Sequence, residues 1–203
     1  VNSANPDGSS ADEIAAVKTL KGQSRQPDVV DVGLPFAVQG AAEGLFAPYK
    51  VSTWNDLHKG TKQAGGKWFF DYGGYIAIGY DTLKVSPAPT SLKGLLNAAY
   101  KGQVALNGNP TKSGAAFAGV FATALANGGS LNSVGKGLDF WKQMKKIGNF
   151  IPVEATPATV QSGQTPITLD WDYLQGKYSK VSAGKVNWKV VVPSDAIYGG
   201  FYA

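Results

Sequence analysis

The sequence predicts an α/β fold, in which helices pack on a layered β-sheet. Short apolar segments typical of buried strands alternate along the 203 residues with amphipathic segments typical of helices. Gly, Asn and Pro residues separate the two kinds of segment, as they do at turns. Hydrophobic residues make up 43% of the chain, which is enough to form a core.

The N-terminal third begins this alternation. Residues 1–7 predict the end of a strand followed by an Asn-Pro-Asp-Gly turn. The residues Ser10 to Glu13 match a capping box, and apolar residues at helical spacing follow until Gly22. A strand is expected at Asp28–Val32, bounded by Gly33, and a helix at Val38–Leu45.

An aromatic segment, Trp68–Tyr80, follows a short helix expected at Thr53–His58. Aromatic and β-branched residues predict two strands here, meeting at the pair Gly73 and Gly74, because Gly pairs in strands mark bends or close backbone approaches. Tyr72 and Tyr75 flank this pair. Their side chains would either pack on the sheet or face a ligand.

A strand followed by a glycine-containing helix start is the feature that most suggests a binding site. The strand Val104–Leu106 leads through a Gly-Asn-Pro turn to a helix expected at Ser113–Ala126. Helix starts have N–H groups without intrahelical partners and carry partial positive charge, which suits an anion. Ser113 adds a hydroxyl group, and Gly114 allows a ligand to approach the backbone. Ser113 as a simple helix cap is the alternative.

The remaining elements continue the α/β pattern. Thr156 and Pro157 form a typical helix start, ahead of a helix that ends at Gly163. The other expected elements are the helix Ser91–Tyr100, the helix Leu131–Lys146 with Leu138, Trp141 and Met144 inward, and the strands Ile151–Val153, Pro166–Leu169 and Val190–Val192.

Two carboxylates follow a predicted strand. Asp170 and Asp172 are two residues apart, so in an extended segment both would point to the same side. Ligands of open α/β sheets bind at the carboxyl ends of strands, where such a pair would bind an ammonium group or a metal, or act as an acid and a base. The alternative is that one caps a helix and the other is solvated. Trp171 would stack on a cation or pack in the core.

Composition excludes several classes of function. The chain has no Cys, which excludes disulfides, thiolate metal sites and a cysteine nucleophile, and a single His, His58, excludes a His-rich metal site. The net charge of +5 comes from scattered lysines, so nucleic acid is not expected as a partner. No phosphate-binding or dinucleotide motif and no catalytic constellation is present, so the chain is not expected to be an enzyme.

The ends of the sequence lead to one further expectation. No run of about 18 apolar residues is present, and neither is a signal peptide. The chain begins at Val1 and stops at Ala203 within sequence typical of folded structure. We therefore expect either a processed N-terminus or a part of a longer chain.

The ordered set of segments resembles the extracellular solute-binding proteins of bacterial ABC importers. The nearest branch contains the binders of ferric ion, polyamines, thiamine and aminophosphonates. The likeness spans nearly the whole chain, and no single motif carries it. Its segments are Asp28–Val32, Thr53-Trp-Asn-Asp-Leu57, Tyr80-Asp-Thr82, Pro89-Thr-Ser-Leu-Lys-Gly-Leu95, Lys101-Gly102, Asn109-Pro-Thr-Lys-Ser-Gly-Ala115 and Gly163-Gln-Thr-Pro-Ile-Thr168.

The resemblance implies a two-lobed fold of the type-2 periplasmic-binding-protein kind that closes on its ligand like a hinge. One lobe, residues 73–192 with the crossing strands, would be nearly complete. The other, residues 1–72 joined by 193–203, would be truncated. Such proteins are monomers of the periplasm or cell surface, some with a lipid anchor, and they deliver a small solute to the permease without chemistry or cofactor.

The resemblance also implies which residues bind the solute. The segment at Thr111–Ala115 holds an anionic group in relatives, while ferric-ion relatives carry neighbouring tyrosines where this chain has Asp170–Tyr173. The loss of that pair argues against iron and favours an organic cation or a zwitterion, such as a polyamine or an aminophosphonate. The expected ligand-binding residues are Thr111, Ser113, Gly114, Ala115, Asp170, Trp171, Asp172, Tyr72, Tyr75 and Tyr198, with no metal.

Three alternatives remain open at the level of sequence. The first is a ferric-ion binder, since Asp and Tyr oxygens suit a hard cation. The second is an enzyme or a ligand-sensing regulator built on the same fold. The third is a structural fragment that binds no small molecule.

Overall fold

A computed structural model describes residues 8–130 and 132–203, and this part of the chain forms two compact units. Unit 1 contains the residues up to Gly73, together with Lys112–Gly114 and Gly200–Ala203, and unit 2 contains Gly74–Thr111 and Ala115–Gly199. Residues 112–114 therefore lie in unit 1, and residues 193–199 lie in unit 2. The strand and turn expected at residues 1–7 lie outside the described residues.

Unit 1 is built on a short strand pair. Its helices are α1 (Ser10–Thr19) and α2 (Leu34–Ala42), and between them lies the two-residue strand β1 (Val32–Gly33). β1 pairs antiparallel with the end of the last strand, with Val32 opposite Tyr202 and Gly33 opposite Phe201. Ile14, Val32, Ala37 and Tyr202 form the core of this unit. Two 3-10 turns follow α2, at Trp54–Asp56 and Lys59–Thr61.

Unit 2 holds most of the regular structure. Its chain contains two 3-10 turns, Lys93–Leu96 and Ala98–Tyr100. The helices and strands that lie wholly or mainly in it are β2 (Phe70–Asp81), β3 (Val104–Leu106), α3 (Gly114–Ala126), α4 (Gly135–Lys146), α5 (Pro157–Gln161), β4 (Ile167–Trp171), α6 (Asp172–Val181) and β5 (Trp188–Val191). The last strand, β6 (Tyr198–Tyr202), has two residues in unit 2 and three in unit 1. β2 and β6 each contain residues of both units.

The sheet of unit 2 is mixed. β2 pairs antiparallel with β4 on one side and with β5 on the other, while β3 runs parallel to β4. Ala77 lies opposite Asp170, and Leu106 lies beside Leu169. All five residues of β4 are buried, which is typical of a strand covered on both faces. Helix α3 approaches this sheet closely, since a Cβ at Gly119 would lie 3.0 Å from Leu106 Cδ2.

Several elements are confirmed with their expected positions. The strand β3 has the expected bounds, and α3 begins one residue after the expected start at Ser113. Thr156 caps α5 by accepting a hydrogen bond from Thr159 N, with Pro157 in the first turn. Within residues 8–130 and 132–203, no helix combines the length and the apolar character needed to cross a membrane.

The expected bend at Gly73 and Gly74 is absent, because β2 runs continuously from Phe70 to Asp81. The glycine at 74 serves packing instead: a side chain there would overlap Asp172 Oδ1 and lie 2.9 Å from Tyr173 Cδ1. The expected strand at Asp28–Val32 was also wrong for most of its length, since only Val32 belongs to a strand.

Side-chain hydrogen bonds shorten two of the expected helices. Ser91 Oγ accepts a hydrogen bond from Gly94 N, and Asn97 Oδ1 accepts one from Ala99 N, so residues 91–100 form two 3-10 turns instead of one helix. The helix expected to begin at Leu131, a residue outside the described part, begins at Gly135, where Ser133 Oγ accepts from Gly135 N.

Three smaller expectations were also wrong. Leu138 is 49% exposed, because α4 buries the face that carries Gly137, Phe140 and Met144. The helix expected at Val38–Leu45 is α2, which begins four residues earlier, at Leu34. Residues 151–153 form no strand, and their link to the sheet is the hydrogen bond from Ile151 N to Val104 O.

The contact of α4 with α3 depends on the absence of a side chain at Gly137. A Cβ there would overlap the carbonyl oxygen of Val120 and lie 3.1 Å from Ala124 Cβ. Gly137→Ala should therefore lower the free energy of unfolding by ~1–3 kcal/mol, measured by urea denaturation. Gly176→Ala in α6, where nothing lies within 4 Å, is the control and should raise it by ~0.5–1 kcal/mol. Equal effects of the two changes would contradict this packing.

Candidate functional site

Three helix starts meet in unit 1. Gly33 N, at the N-cap of α2, donates a hydrogen bond to Ser10 Oγ in the first turn of α1, with an N–O distance of 3.2 Å. Ala11 N in α1 donates to Lys112 O, two residues before α3. A Cβ at Gly33 would lie 3.3 Å from Gly114 Cα, the first residue of α3. The partial positive charges of three helix starts are thereby brought together.

We call Ser10, Gly33 and Gly114 the helix-start cluster, and its geometry depends on how α1 is capped. Ser9, not Ser10, caps α1: its Oγ accepts from Asp12 N at 3.3 Å, and Asp12 Oδ2 accepts from Ser9 N at 3.0 Å. This is one residue earlier than expected. The shift leaves the hydroxyl group of Ser10 available to accept the hydrogen bond from Gly33.

The predicted anion-binding residues occupy different positions around this cluster. Ser113 is half-buried, and Gly114 is buried against the backbone of Gly33, so the close approach that Gly114 permits is to protein. Thr111 lies exposed in the preceding turn, where its N–H and its hydroxyl group both bond Asn109 Oδ1 at 2.9 Å. Ala115 is buried in α3. The structure joins Gly114 to Ser10 and Gly33, which the sequence did not indicate.

A second group of unit 1 contains two carboxylates and a tyrosine. Asp31 N donates to Glu13 Oε2 at 2.8 Å, and Tyr72 Oη donates to Asp31 Oδ2 at 2.7 Å. The other oxygen, Asp31 Oδ1, is buried without a hydrogen-bond partner among the described residues. The Tyr72 ring stacks on Phe201, with centroids 5.5 Å apart. Tyr72 is thus a predicted site residue that the structure pairs with an acid.

Burial affects both of these acids. It raises the pKa of Glu13 to about 7, although the hydrogen bond from Asp31 N opposes the change. Burial also raises the pKa of Asp31, while the hydrogen bond from Tyr72 lowers it. Because the folded state binds these protons more tightly than the unfolded state, their contribution to stability is largest at low pH and decreases as pH rises from about 4 towards 7.

In unit 2, the structure brings together four of the predicted residues, which we call the acid–aromatic cluster: Tyr75, Trp171, Asp172 and Tyr198. The rings of Tyr75 and Tyr198 meet edge to face at 5.3 Å, and the two residues are 45% and 57% exposed. Their glycine neighbours make the remaining contacts, since Gly74 packs on Asp172 and a Cβ at Gly199 would lie 2.8 Å from Trp171 Cη2.

The two central members of this cluster differ in accessibility. Trp171 is 3% exposed and stacks on Tyr173 at 6.3 Å, so its ring packs in the core. Asp172 is half-buried at the start of α6, and its Oδ1 accepts a hydrogen bond from Tyr173 N at 2.9 Å. The helix start stabilises this negative charge. Asp172, Tyr75 and Tyr198 are the members that retain exposed surface.

Asp170 does not join Asp172 as expected, because β4 ends at Trp171 and Asp172 begins α6. Its side chain has no exposed surface. Asn107 Nδ2 donates to its Oδ2 at 2.9 Å, Tyr178 Oη lies 2.8 Å from the same oxygen, and Trp171 N donates to its Oδ1 at 2.7 Å. The structure therefore corrects the expectation that Asp170 contacts a solute.

Metal-binding groups are not assembled in the described part of the chain. Among residues 8–130 and 132–203, no three His, Asp or Glu side chains lie close enough together to hold a metal ion. His58 is exposed and precedes the second 3-10 turn of unit 1.

Sequence reasoning missed Ser10, Glu13 and Asp31. Ser10 and Glu13 were assigned to a capping box, and Asp31 to the interior of a strand. Ser9 and Asp12 also have the three-residue spacing of a capping box. This second candidate box is the signal that could have indicated other roles for Ser10 and Glu13. With Ser9 and Asp12 forming the capping box, Ser10 accepts a hydrogen bond from Gly33 and Glu13 accepts one from Asp31.

Residues 24–201 match the family model of the bacterial extracellular solute-binding proteins. Comparison with curated proteins gives no match. The α/β fold of type-2 periplasmic binding proteins is confirmed by similarity to solved structures. One is the periplasmic binding protein P5PA, with a TM-score of 0.74 and 18% identity over 96% of this chain.

Two further similar structures are of bacterial proteins with different bound ligands. AfuA from Actinobacillus pleuropneumoniae, with exogenous fructose-6-phosphate bound, has a TM-score of 0.72 and 18% identity over 96% of this chain. Iron-bound HitA from Pseudomonas aeruginosa has a TM-score of 0.65 and 15% identity over 94% of it. The chain spans 62% of the length of each of these three proteins. At such low identity, the similarity establishes the fold and leaves the ligand open.

The contribution of the hydrogen bond between Tyr72 and Asp31 to the free energy of unfolding can be measured with a single substitution. Tyr72→Phe removes the donor and should lower the free energy of unfolding by ~1 kcal/mol at neutral pH. The loss should be smaller at pH 4, where Asp31 is more fully protonated. Tyr75→Phe, an exposed tyrosine of unit 2, is the control and should change stability by less than ~0.5 kcal/mol. A Tyr72→Phe effect that is equal at both pH values would contradict the assigned pairing.

Proposed function

This chain belongs to the bacterial extracellular solute-binding proteins, and we propose that it captures a small charged solute and delivers it to the permease of an ABC importer. Membership of the family places the chain in the periplasm or outside the cell. The proposal includes no chemical step, because the work of such a protein is selective binding. The solute class that we propose carries an anionic group, an organic ammonium group, or both, as in an aminoalkyl phosphonate.

The helix-start cluster is the observation that carries this proposal. Three helix starts in contact bring partial positive charge to one place, which suits a phosphate, phosphonate or carboxylate group. AfuA, a structure similar to this chain, has a sugar phosphate bound. We propose that Ser113 and the start of α3 bind the anionic group, with Thr111 and Ala115 in the adjoining turn and helix.

The acid–aromatic cluster supports the cationic part of the proposal. Asp172 supplies a half-buried carboxylate, and the exposed rings of Tyr75 and Tyr198 supply faces that attract an ammonium group. Asp31 and Tyr72 provide a second acid and aromatic pair in unit 1. Trp171 contributes by fixing the position of Asp172 and is not proposed as a contact.

The first experiment is native mass spectrometry of the protein as isolated, followed by denaturation to release any bound molecule. A stoichiometric small molecule supports the proposal, and its mass distinguishes an amine, a phosphate compound and a metal. Thermal-shift measurements with inorganic phosphate, 2-aminoethylphosphonate, spermidine and ferric citrate follow, since a ligand of the folded state raises the melting temperature. Stabilisation by ferric citrate alone would favour the iron binder, and no stabilisation by any compound would contradict solute capture.

The role of Ser113 is tested by Ser113→Ala. The lost hydroxyl group should weaken binding of inorganic phosphate by about tenfold, because a hydrogen bond to a charged group contributes ~1.5–3 kcal/mol. Isothermal titration calorimetry measures the change. Ser52→Ala, an exposed serine of unit 1, is the matched control and should leave the affinity unchanged. Equal affinities of the two variants would remove Ser113 from the site.

The role of Asp172 is tested by Asp172→Asn, which keeps the shape of the side chain and removes its charge. Affinity for spermidine should fall by about tenfold, while affinity for inorganic phosphate should not fall. Asp139→Asn in α4, with a 71% exposed side chain, is the control for loss of one negative charge. A parallel loss of spermidine affinity in both variants would indicate a general charge effect instead of a binding contact.

A further inference from the structure

The hydroxyl group of Tyr178 in unit 2 lies between two acceptors. Its oxygen is 2.8 Å from Asp170 Oδ2 and 3.1 Å from the carbonyl oxygen of Ala155. A hydroxyl group has one hydrogen and can donate to one of them. Tyr178 is 3% exposed and Ala155 is 1% exposed, so solvent does not supply the second hydrogen.

The protonation state of Asp170 decides whether both short contacts of the Tyr178 hydroxyl group can be hydrogen bonds. If Asp170 is ionised, Tyr178 must donate either to the carboxylate or to Ala155, and the other acceptor lacks that hydrogen. If Asp170 carries a proton on Oδ2, the acid donates to Tyr178 Oη and Tyr178 donates to Ala155. Oδ2 still accepts from Asn107 Nδ2, and Oδ1 still accepts from Trp171 N. Buried polar groups are satisfied in the great majority of native proteins, which favours the neutral acid.

We propose that Asp170 keeps its proton up to near-neutral pH and that it acts as a positioning residue, holding Asn107 at the start of the turn that leads to α3. Asn107 follows β3 directly, and the turn continues through Asn109, which bonds Thr111. The part of the inference that concerns solute binding rests on the proposed function, because the turn precedes the helix start assigned to the anionic group.

The surroundings of Asp170 agree with an uncharged side chain. Burial raises its pKa to about 7, although the hydrogen bonds from Tyr178, Trp171 N and Asn107 oppose the change. Ala77 lies opposite it on β2, Asn107 adjoins it from the end of β3, and Tyr178 faces it from α6. Burial raises the pKa of Tyr178, and the negative charges of Asp170 and Glu154 raise it further.

The protonation state can be measured without any ligand. Protein labelled with ¹³C at the aspartate carboxyl groups is titrated by NMR from about pH 4 to pH 9, and the Asp170 signal is assigned by its absence from Asp170→Asn. The inference predicts that this signal titrates about three pH units above an ordinary aspartate. Titration near pH 4, together with the exposed aspartates, would overturn it.

A second variant keeps the test valid if Asp170→Asn does not fold. Tyr178→Phe removes the Tyr178 hydroxyl group and leaves the carboxyl group of Asp170 buried, so the Asp170 signal should still titrate well above pH 4. A titration near pH 4 in this variant would overturn the inference. Asp139→Asn is the control, since its exposed side chain should leave the Asp170 titration unchanged.

The positioning role is tested with inorganic sulfate, whose charge is constant over this pH range. Wild-type affinity should fall by about threefold or more as pH rises through the Asp170 titration, because ionisation places a negative charge on the carboxyl oxygen that bonds Asn107 at the start of this turn. Asp170→Asn should show a flat profile. Flat profiles in both proteins, with measurable affinity, would overturn the positioning role. If neither protein binds sulfate, the proposed anion site fails, whereas the NMR titration still decides the protonation state.

Discussion

The close approach of two glycine backbones, Gly33 and Gly114, is the constraint on which the arrangement of unit 1 depends. β1 contains two residues, and α2 begins at once after Gly33, so the chain turns from strand to helix with no connecting loop. A side chain at either glycine would reach the backbone of the other. Because the backbones touch, the starts of α2 and α3 are separated by little more than a van der Waals contact, and Ser10 joins α1 to them.

In unit 2, buried polar side chains fix how helix α6 packs on the sheet. Gln175 of α6 is fully buried: its Nε2 donates to Thr168, and its Oε1 accepts from Trp188 Nε1 at 3.1 Å. A side chain at Gly79 would overlap that amide, so the strand opposite carries none. Loss of one partner in such a network would leave a buried polar group without a hydrogen bond, which lowers stability. The network therefore favours a single packing arrangement of α6 on the sheet. Asp170 and Tyr178 form a second buried network with Asn107.

Sequence patterns predicted the elements whose signals are local. Val104–Leu106 and the helix from Gly114 have uninterrupted apolar character, and Thr156 and Pro157 form a complete helix start, so these were placed within a residue. The patterns failed where a partner distant in sequence decides the outcome. Gly74 marks the position of Asp172, not a bend, and the choice between Ser9 and Ser10 as a cap depends on Gly33, 23 residues away from Ser10.

The candidate site shows the same limit. Two carboxylates at alternate positions point to the same side only if the backbone stays extended. Here β4 ends at Trp171 and α6 begins at Asp172. No local pattern indicates that change, since Trp171 and Asp172 also fit a continuing strand. The residue pattern supplied the location of the helix start, with which the resemblance to a family agreed, whereas its neighbours Ser10 and Asp31 became visible only when the chain was folded.

The glycines that adjoin the exposed aromatic residues limit which positions of this surface can be varied. Gly74 and Gly199 adjoin Tyr75 and Tyr198, and neither glycine has space for even a methyl group. A combinatorial library that randomises the tyrosines while keeping these glycines fixed would vary surface chemistry and leave the supporting backbone unchanged. Randomising the glycines as well would introduce side chains that overlap Asp172 and Trp171. Sequence diversity in this region therefore has to be confined to the tyrosine positions.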